Sequence, residues 1–564
     1  MSRSDMLKAN ALLGMAGGLQ YISLKKASKQ PRKYQENTLR GILTYAKDTV
    51  YGKEHHFAEI LEAKDDTELY QRYQQYVSPN DYENLRPYVE RHKHGEANIL
   101  FPGKPILYAT TSGTTSEPKW IPITKEYLGN VYGKMTKVWL FNFIKNRHKV
   151  FSGKILSIVG KVIEGYAPDG TVFGSVSGVT QRDCPGFVKV LYSNPQCVYS
   201  IEDYNARYYV LMRMGIEQDI TLIVTANPST IVELQNNVNK FYDDYVTDIE
   251  NGTLNKDLNI KPEIRAELEA CMKPNPKRAA ELRALKAKYG NVLPKHYWPN
   301  LQLLNTWKCG NTKVYLDKFK DSFPEAMLHQ EFGYFSSECR FGLVLDDTNN
   351  TALFPHFHYY EFIDEADLDN PNPKFLQLHE LKEGKRYCPY VTTYAGLYRY
   401  NMNDLLEVGP NFQNTPTVHM IQKVNGIVTI TGEKLHERQF IDAVHKAEDA
   451  TGLKTRFFIG FADLSIVNYK FYYEFADQSV TQEQAEKFTE KVDELLKEIN
   501  VEYKTKRDSL RLKMPETYRM VPESFETFKA QCIAEGARDG QFKLQLLLQD
   551  EKRHEKFKKL VISD

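Results

Sequence analysis

Short apolar runs alternate with helix-like stretches from about residue 105 to residue 430, and this alternation constrains the fold more than any other feature. The runs are bounded by turn residues, as buried strands are. Two of the stretches between them, Pro228 to about Asp248 and Pro262 to Tyr289, have helical spacing or a helix-forming composition. Strands that alternate with helices predict an α/β architecture with buried sheets. The predicted strands are PILYATT, KILSIVG, FVKVLY, DITLIVTA, NLQLLN and YYEFI.

The last part of the chain has a different pattern. GIVTITG predicts a strand, Leu435–Ala450 has helical spacing, and RFFIGFA and YKFYYEF predict two more strands. Thr481 and Gln484 have the spacing of a capping box, and a helical apolar stripe follows them. The order strand, helix, two strands, helix predicts a small α+β unit. The Gly/Pro/Asn-rich stretch 409–417 is the expected break, so we predict a large domain 1–423 and a small mobile domain 424–564.

Charge and cysteine content exclude several classes of protein. The chain has 74 Lys and Arg against 73 Asp and Glu, a balance that argues against a nucleic-acid binder and against a polybasic membrane-surface protein. The N-terminus superficially resembles a signal peptide, but Asn10 and several glycines dilute its apolar part, which favours an amphipathic first helix. Seven scattered cysteines without a Cys-x-x-Cys pair predict reduced thiols in the cytoplasm.

A hydroxyl-rich segment, TTSGTTSEPK, directly follows the first predicted strand. Consecutive amide N–H groups and hydroxyls can wrap an anion, and a following lysine adds positive charge, so the segment suits a polyphosphate. It lacks the spacing of a Walker loop. A solvent-facing Ser/Thr turn is the alternative. The candidate phosphate ligands are Ser112, Gly113, Thr114, Thr115, Ser116 and Lys119.

Two further segments carry carboxylates beside polar or aromatic residues. In EFGYFSSE, Glu338 follows two hydroxyls and suits a hard cation such as Mg²⁺, with a capped turn as the alternative. In VTTYAGLYRYNMND, Asp404 suits the hydroxyls of a ribose. A structural ion pair between Arg399 and Asp404 is the alternative there. His356 and His358 form a pair on one strand face, but no third metal ligand is evident.

Two lysines of the predicted small domain, Lys434 in TGEK and Lys543 in GQFK, are candidates to enter a phosphate site when that domain closes. The simpler interpretation of each is a surface lysine without a function.

The order of these segments resembles that of the Gretchen Hagen family of acyl acid amido synthetases, which belong to the adenylate-forming superfamily. TTSGTTSEPKWIPIT resembles the family's phosphate loop, and TWKCGNTKVYL is similar to its segment beside the adenine. YFSSE, YYEFI and VTTYAGLYRYNMNDLLEV resemble three further family motifs, and GEK and GQFK match its two lysine sites. The match spans about residues 105–545 in the correct order.

The resemblance implies a role for each matching residue. Asn403 replaces the family's glycine before the aspartate, Lys423 replaces an arginine after the hinge strand, and Lys543 begins Lys-Leu-Gln-Leu where the family has Lys-x-Pro-Arg. The implied roles are ATP phosphate binding for Ser112–Ser116 and Lys119, adenine contact for Gly310 and Tyr334, phosphate and Mg²⁺ binding for Ser337 and Glu338, ribose binding for Asp404, nucleotide binding for Lys423, and catalysis from the mobile domain for Lys434 and Lys543.

The implied reaction joins a small carboxylic acid to an amino acid at the expense of ATP, through an acyl-adenylate, in a cytoplasmic monomer without nucleic-acid or membrane partners. The resemblance also implies that the acyl pocket is lined from the region around residues 125–145, with Tyr132, Trp139 and Phe143 as candidate walls. Their helical spacing fits core packing as well, and we favour that interpretation. Two alternatives remain open at this point: a coenzyme A ligase that uses the same adenylate chemistry, and a nucleotide-binding homologue without activity.

Overall fold

A computed structural model describes residues 3–111, 118–308, 316, 319–368, 370–424, 427–524, 527–528, 531, 546–549 and 551–562. The chain divides into two compact units. The larger comprises Met1–Thr110 and Trp120–Gln422, and the smaller comprises Thr111–Lys119 and Lys423–Asp564. The α/β class and the small α+β unit are confirmed. The boundary at 423/424 and the movement of the small unit as a domain stay predictions.

Most helices of the large unit begin at residues with capping side chains or at prolines. Asp65, Asp81 and Asp203 each accept a hydrogen bond from a backbone N–H in the first turn of their helix, as N-cap residues do. A π-helical turn, Tyr127–Tyr132, leads into α7. The helices are α1 (Arg3–Ser28), α2 (Pro31–Ala46), α3 (Val50–Glu54), α4 (Phe57–Leu61), α5 (Asp66–Tyr76), α6 (Tyr82–Lys93), α7 (Gly133–Asn146), α8 (Val176–Arg182), α9 (Gly186–Lys189), α10 (Tyr204–Glu217), α11 (Ser229–Asn251), α12 (Pro262–Ala270), α13 (Pro276–Tyr289) and α14 (Pro294–Tyr297).

The described residues of the large unit contain three sheets. The first has the order β2-β1-β5-β4, the second is a parallel sheet of order β3-β6-β7-β8, and the third has the order β12-β11-β13-β15-β16-β10-β9 with β14 paired to β13. Their strands are β1 (Leu107–Thr111), β2 (Lys119–Ile123), β3 (Lys154–Ile158), β4 (Gly165–Tyr166), β5 (Val172–Phe173), β6 (Ile220–Thr225), β7 (Leu303–Thr306), β8 (Leu328–Glu331), β9 (Gly342–Val344), β10 (Thr351–Leu353), β11 (Tyr359–Asp364), β12 (Leu376–Gln377), β13 (Arg386–Thr392), β14 (Tyr400–Asn401), β15 (Asp404–Phe412) and β16 (Thr415–Lys423).

The parallel sheet lies in the interior, and every residue of its strand β6 is buried. Continuous apolar runs such as this one are typical of parallel strands that are covered on both faces. The loop between β8 and β9 connects the parallel sheet to the third sheet, and it contains the YFSSE segment.

Three local predictions were wrong. The stretch 409–417 is not a break between domains, because it lies in the hairpin of β15 and β16, whose turn residue Gln413 has a φ of 58°. FVKVLY is not a strand, since its first residues belong to the short helix α9. The helix expected from Pro262 to Tyr289 is two helices, which separate at the prolines of the segment 271–276 because a proline cannot donate the helical hydrogen bond.

The small unit confirms the predicted order of elements after residue 426. The capping box at Thr481 and Gln484 is present, and the stripe of α16 is buried from Ala485 to Ile499. The strand predicted over GIVTITG is confined to Ile427–Val428. The elements are β17 (Ile427–Val428), β18 (Leu435–His436), α15 (Glu437–Thr451), β19 (Thr455–Asp463), β20 (Asn468–Phe475), α16 (Gln482–Ile499), α17 (Val501–Asp508), β21 (Glu516–Arg519), β22 (Leu547–Leu548) and α18 (Glu551–Lys558).

Of the helices within the described ranges, none is long and apolar enough to cross a bilayer.

Candidate active site

The YFSSE loop meets the start of β15 through a hydrogen bond between two buried side chains. The Tyr334 hydroxyl donates to Oδ2 of Asp404 at 2.5 Å, although the two residues are 70 positions apart in the sequence. Burial, together with the nearby negative charge of Asp404, raises the pKa of Tyr334 well above its usual value. Tyr334 is therefore a neutral donor, and it holds one oxygen of the Asp404 carboxylate in a defined position.

Glu338, at the other end of the YFSSE motif, lies close enough to β14 for its charge to act there. Glu338 is buried at the end of the YFSSE loop, and its charge contributes, after burial, to the raised pKa of Tyr400 in β14. The Ser336 hydroxyl accepts a hydrogen bond from the backbone N–H of Glu338 at 3.2 Å, so the capped turn considered above is present. Ser337, between them, is half-buried. The loop thus brings Tyr334 and Glu338 to the chain segment that carries Asp404.

The backbone before Asp404 explains the replacement of the family's glycine by Asn403. Asn403 has a φ of 53°, in the left-handed region, and its N–H donates to the Oδ1 of Asn401 at 2.8 Å. Asparagine adopts this conformation at a lower steric cost than most residues with a side chain, and glycine adopts it without steric cost. Asn403 can therefore form the same turn as a glycine and present Asp404 at the start of β15.

The alternative of an ion pair between Arg399 and Asp404 is wrong. Arg399 donates from Nε to Oε2 of Glu361 at 2.9 Å and from Nη1 to the Val77 carbonyl at 2.8 Å. The guanidinium also lies 4.2 Å from the centre of the Phe375 ring. Asp404 is thus separate from the structural arginine of its own motif, and its observed side-chain donor is the Tyr334 hydroxyl.

Of the predicted lysines of the site that are described, two lie in strands and one precedes a strand. Lys119 is the first residue of β2 and is half-buried. The backbone of Lys434 is held by Glu502, which accepts from its N–H at 3.0 Å, and by Asn500, which donates to its carbonyl at 2.8 Å. Lys423 is the last residue of β16. Ser112, Gly113, Thr114, Thr115, Ser116, Gly310 and Lys543 lie outside the described residues.

The three aromatic candidates for an acyl pocket separate into core and partly exposed positions. Phe143 is buried in the core, whereas Tyr132 and Trp139 are half-buried. The Trp139 ring stacks on Phe332 at 5.4 Å between centroids, and its Nε1 donates to the Oδ1 of Asn305 at 3.2 Å. The prediction of a pocket wall therefore remains for Tyr132 and Trp139 and is not supported for Phe143.

Arg340, two residues after Glu338, is a functional candidate that the sequence analysis missed. It is 3% exposed, and its guanidinium lies 5.3 Å from the Tyr132 ring centre and 5.5 Å from the Trp139 ring centre. Its Nη1 donates to the Thr136 hydroxyl at 3.1 Å. Within the described ranges no carboxylate pairs with Arg340, and its Nε has no hydrogen-bond partner.

The electrostatic state of Arg340 is unusual for a buried arginine. Burial lowers its pKa, and only the two tyrosines 127 and 132 act in the opposite direction. A buried charge without an opposite charge is costly, and rings and a hydroxyl compensate only part of that cost. The available signal in the sequence was an arginine at the start of the apolar run that follows the YFSSE motif.

Comparison with known proteins gives one consistent family. The GH3 family N-terminal domain matches residues 20–328, the central domain matches residues 351–423, and the C-terminal domain matches residues 438–552. The first of these alone matches more than half of the chain.

Relatives and solved structures agree with this match. The chain is 24% identical to indole-3-acetic acid-amido synthetase GH3.10 of Arabidopsis thaliana, over 76% of this chain and 77% of that protein. It is 25% identical to jasmonoyl–L-amino acid synthetase JAR4 of Nicotiana attenuata, over 74% of each. The structure of the AtGH3.15 acyl acid amido synthetase in complex with 2,4-DB has the same fold, with 19% identity, a TM-score of 0.63, and 100% of this chain and 97% of that chain covered. The chain therefore belongs to the GH3 family, as its motifs predicted.

Proposed function

We propose that this protein is an ATP-dependent acyl acid amido synthetase. It activates a small carboxylic acid as an acyl-adenylate with release of pyrophosphate, and it then transfers the acyl group to the amine of an amino acid. The observation that carries the proposal is the hydrogen bond between Tyr334 and Asp404, which joins two of the family's motifs within the large unit. The relatives named above form the same class of amide product, according to their names.

The two steps need positioning and charge neutralisation rather than covalent catalysis by the protein. In the first step an oxygen of the acid bonds to the α-phosphorus of ATP while the bond to pyrophosphate breaks. In the second step the amine bonds to the acyl carbon, AMP leaves with the electron pair of the broken C–O bond, and the amine loses a proton. Lysines, backbone N–H groups and a metal ion are the groups that stabilise the charge on transferring phosphoryl oxygens.

The roles of the described residues follow from their chemistry. Asp404 accepts hydrogen bonds, and since each carboxylate oxygen has two lone pairs, it accepts from a ribose hydroxyl as well as from Tyr334. Glu338 supplies the carboxylate oxygen that Mg²⁺ prefers, beside the Ser337 hydroxyl. Lys119 and Lys434 carry the positive charge for phosphate oxygens. The remaining proposed nucleotide ligands are Ser112, Gly113, Thr114, Thr115, Ser116, Gly310 and Lys423, with Lys543 in catalysis.

Arg340 is the proposed partner of the acid substrate. A carboxylate that binds this guanidinium neutralises a buried charge that has no opposite charge among the described residues, so the interaction is stronger than a surface ion pair. The half-buried rings of Tyr132 and Trp139 flank the guanidinium and offer a flat apolar surface to an aromatic acid. We therefore propose an aryl or indolyl carboxylic acid as the substrate class, with the protein acting as a cytoplasmic monomer.

The test is acid-dependent exchange between ATP and pyrophosphate, measured with a panel of aryl, indolyl and aliphatic acids. Exchange that requires one of these acids and Mg²⁺ supports adenylation, and Asp404→Asn should reduce it strongly through the KM for ATP. Asp508→Asn, at an exposed position of α17, is the matched control and should have no effect. The absence of exchange with every acid would overturn the proposal.

The acceptor is tested separately by product analysis. The same preparation is given the active acid with amino acids, with coenzyme A, or with hydroxylamine as a general amine acceptor. Amides of one or a few amino acids are expected. A thioester formed faster than any amide would instead identify an acyl-CoA ligase.

A further inference from the structure

Helix α1 has two apolar faces, and only one of them is covered. Leu13, Leu24 and Gly17 lie on the buried face. A Cβ atom at Gly17 would lie 2.3 Å from the carbonyl oxygen of Lys137, which shows how closely α1 packs on α7. Away from this contact, four large apolar side chains are exposed: Leu12 (46%), Met15 (64%), Leu19 (68%) and Ile22 (64%).

These four residues form a continuous stripe. Their spacings of three, four and three residues place them on one side of the helix, because side chains three or four positions apart are neighbours on a helix surface. Scattered exposed apolar side chains are normal, but a contiguous row along one helix indicates an interaction surface.

The stripe is bordered by positive charge. Lys26 continues its line seven residues after Leu19, and it is exposed, as is Lys25. The Nζ atoms of Lys25 and of Lys145 in α7 lie 5.9 Å and 5.1 Å from the centre of the Tyr21 ring, so the two helices place their lysines side by side. Together α1 and α7 contain seven lysines and arginines and one acidic residue, in a chain whose net charge is only +1.

This combination of charge and apolar surface distinguishes between possible partners. A second copy docked through the stripe would bring two clusters of lysines together, which is unfavourable. A nucleic acid would use the lysines and leave the stripe in water. The surface of an anionic bilayer can bind both the stripe and the lysines. The apolar side chains enter the boundary of the acyl chains, while the lysines remain at the headgroup phosphates.

We propose that the α1 face, defined as Leu12, Met15, Leu19, Ile22, Lys25, Lys26 and Lys145, docks this protein on membranes rich in anionic phospholipids. The helix lies in the interface and does not span the bilayer. This proposal replaces the sequence-based expectation of no membrane partner. That expectation rested on the net charge of the whole chain and overlooked the excess of positive charge on α1 and α7. It does not depend on the proposed enzymatic reaction.

The test is sedimentation of the full-length protein with vesicles of phosphatidylcholine, with and without phosphatidylserine. We expect binding to the vesicles that contain phosphatidylserine, with a strong decrease at high salt. The double variant Met15→Gln/Leu19→Gln should lower the partition coefficient roughly tenfold or more, because it removes most of the apolar area that enters the interface. Lys25→Glu/Lys26→Glu should weaken binding only to the anionic vesicles.

Matched controls separate docking from folding and from catalysis. Ile466→Gln/Leu510→Gln alters two exposed apolar residues of the small unit and should leave vesicle binding unchanged. All variants should melt at the temperature of the unmodified protein and retain the same ATP–pyrophosphate exchange rate. Equal sedimentation with both vesicle types, or no effect of the Met15/Leu19 variant, would overturn the proposal. A dimer in light scattering that this variant dissociates, or equal affinity for DNA, would also overturn it.

Discussion

Two buried arginines of the large unit have opposite surroundings. Arg399, 2% exposed, has Glu361 as its ion-pair partner and also contacts the Val77 carbonyl and the Phe375 ring, while its Nη2 has no hydrogen-bond partner among the described residues. Burial lowers its pKa, but the nearby charge of Glu361 and other contacts outweigh this and raise it above the usual value. Arg340 is as buried, yet its described partners are one hydroxyl and two rings, and its pKa is lowered.

The difference separates a side chain that stabilises the fold from one that is prepared for a ligand. A buried ion pair is costly to break, because removal of one member leaves the other charged and without compensation. Arg340 is already a buried charge without an opposite charge among the described residues. A protein that retains such a group does so at the expense of stability, which is characteristic of binding sites.

Glu361→Ala should have the largest effect on stability. It leaves the Arg399 guanidinium buried without its carboxylate, and breaking a buried pair in this way costs about 3–5 kcal/mol of unfolding free energy. Urea denaturation measures it. Glu407→Ala, at a partly exposed pair with Arg386, is the control and should cost no more than about 1 kcal/mol. Equal losses for the two variants would show that Arg399 does not depend on Glu361.

Arg340→Met should affect the substrate rather than the fold. Removal of an uncompensated buried charge should leave the unfolding free energy unchanged or increase it, because Met fills a similar volume without the desolvation cost. The KM for the acid in pyrophosphate exchange should rise by roughly tenfold to a hundredfold, about 1.4–2.7 kcal/mol, while the KM for ATP stays the same. Arg340→Lys should recover part of the loss, since it retains the charge but not the planar donor group. A loss of stability close to that of Glu361→Ala would identify Arg340 as a structural residue.

Tyr334→Phe tests the Asp404 carboxylate. Its observed side-chain partner is a neutral hydroxyl, whereas the partner of Glu361 is the positively charged Arg399. The Asp404 carboxylate would lose the hydrogen bond from the Tyr334 hydroxyl, and a hydrogen bond in which one partner is charged is worth about 1.5–3 kcal/mol. We expect a higher KM for ATP with little change in the KM for the acid, the reverse of the result for Arg340→Met. Steady-state exchange kinetics with each substrate varied in turn distinguish the two. An unchanged KM for ATP would mean that the Tyr334 hydroxyl does not orient Asp404 for the nucleotide.

Substitutions at Asn403 should have the smallest effect on stability. They test the turn that lies between Arg399 and Asp404. Arg399 and Asn403 both have positive φ angles, 44° and 53°. Asn403→Gly should change the unfolding free energy by no more than about 0.5 kcal/mol, whereas Asn403→Val should cost about 1–2 kcal/mol, because a β-branched residue is strained in the left-handed region. Thermal melting compares the two variants directly. Equal melting temperatures would show that the turn adopts another conformation.

Local chemistry was the part of the structure that the sequence predicted best. The capping box at Thr481 and Gln484, the buried stripe of α16 and the central strand β6 all depend on neighbouring residues, and all three are confirmed. The stretch 409–417 was assigned wrongly because glycine, proline and asparagine favour a hairpin turn as much as a linker.

The site was only partly predictable, because its key contacts are remote in the sequence. The sequence identified Tyr334 and Asp404 separately, but only the fold shows their hydrogen bond across 70 residues. It suggested Asp404 as a partner for Arg399, whereas Glu361 in a neighbouring strand holds that position. Arg340 was missed because its importance comes from burial without a counter-charge, which no spacing rule encodes.

The close packing of Gly17 on Lys137 has a consequence for synthesis. The two residues are 120 positions apart, so the face of α1 that packs on α7 stays uncovered until α7 leaves the ribosome. At about 5–20 residues per second this interval lasts roughly 6–24 s. During that time both apolar faces of α1 are exposed on the nascent chain. Helix α1 is therefore available to chaperones, or to a nearby bilayer, well before the unit to which it belongs has folded.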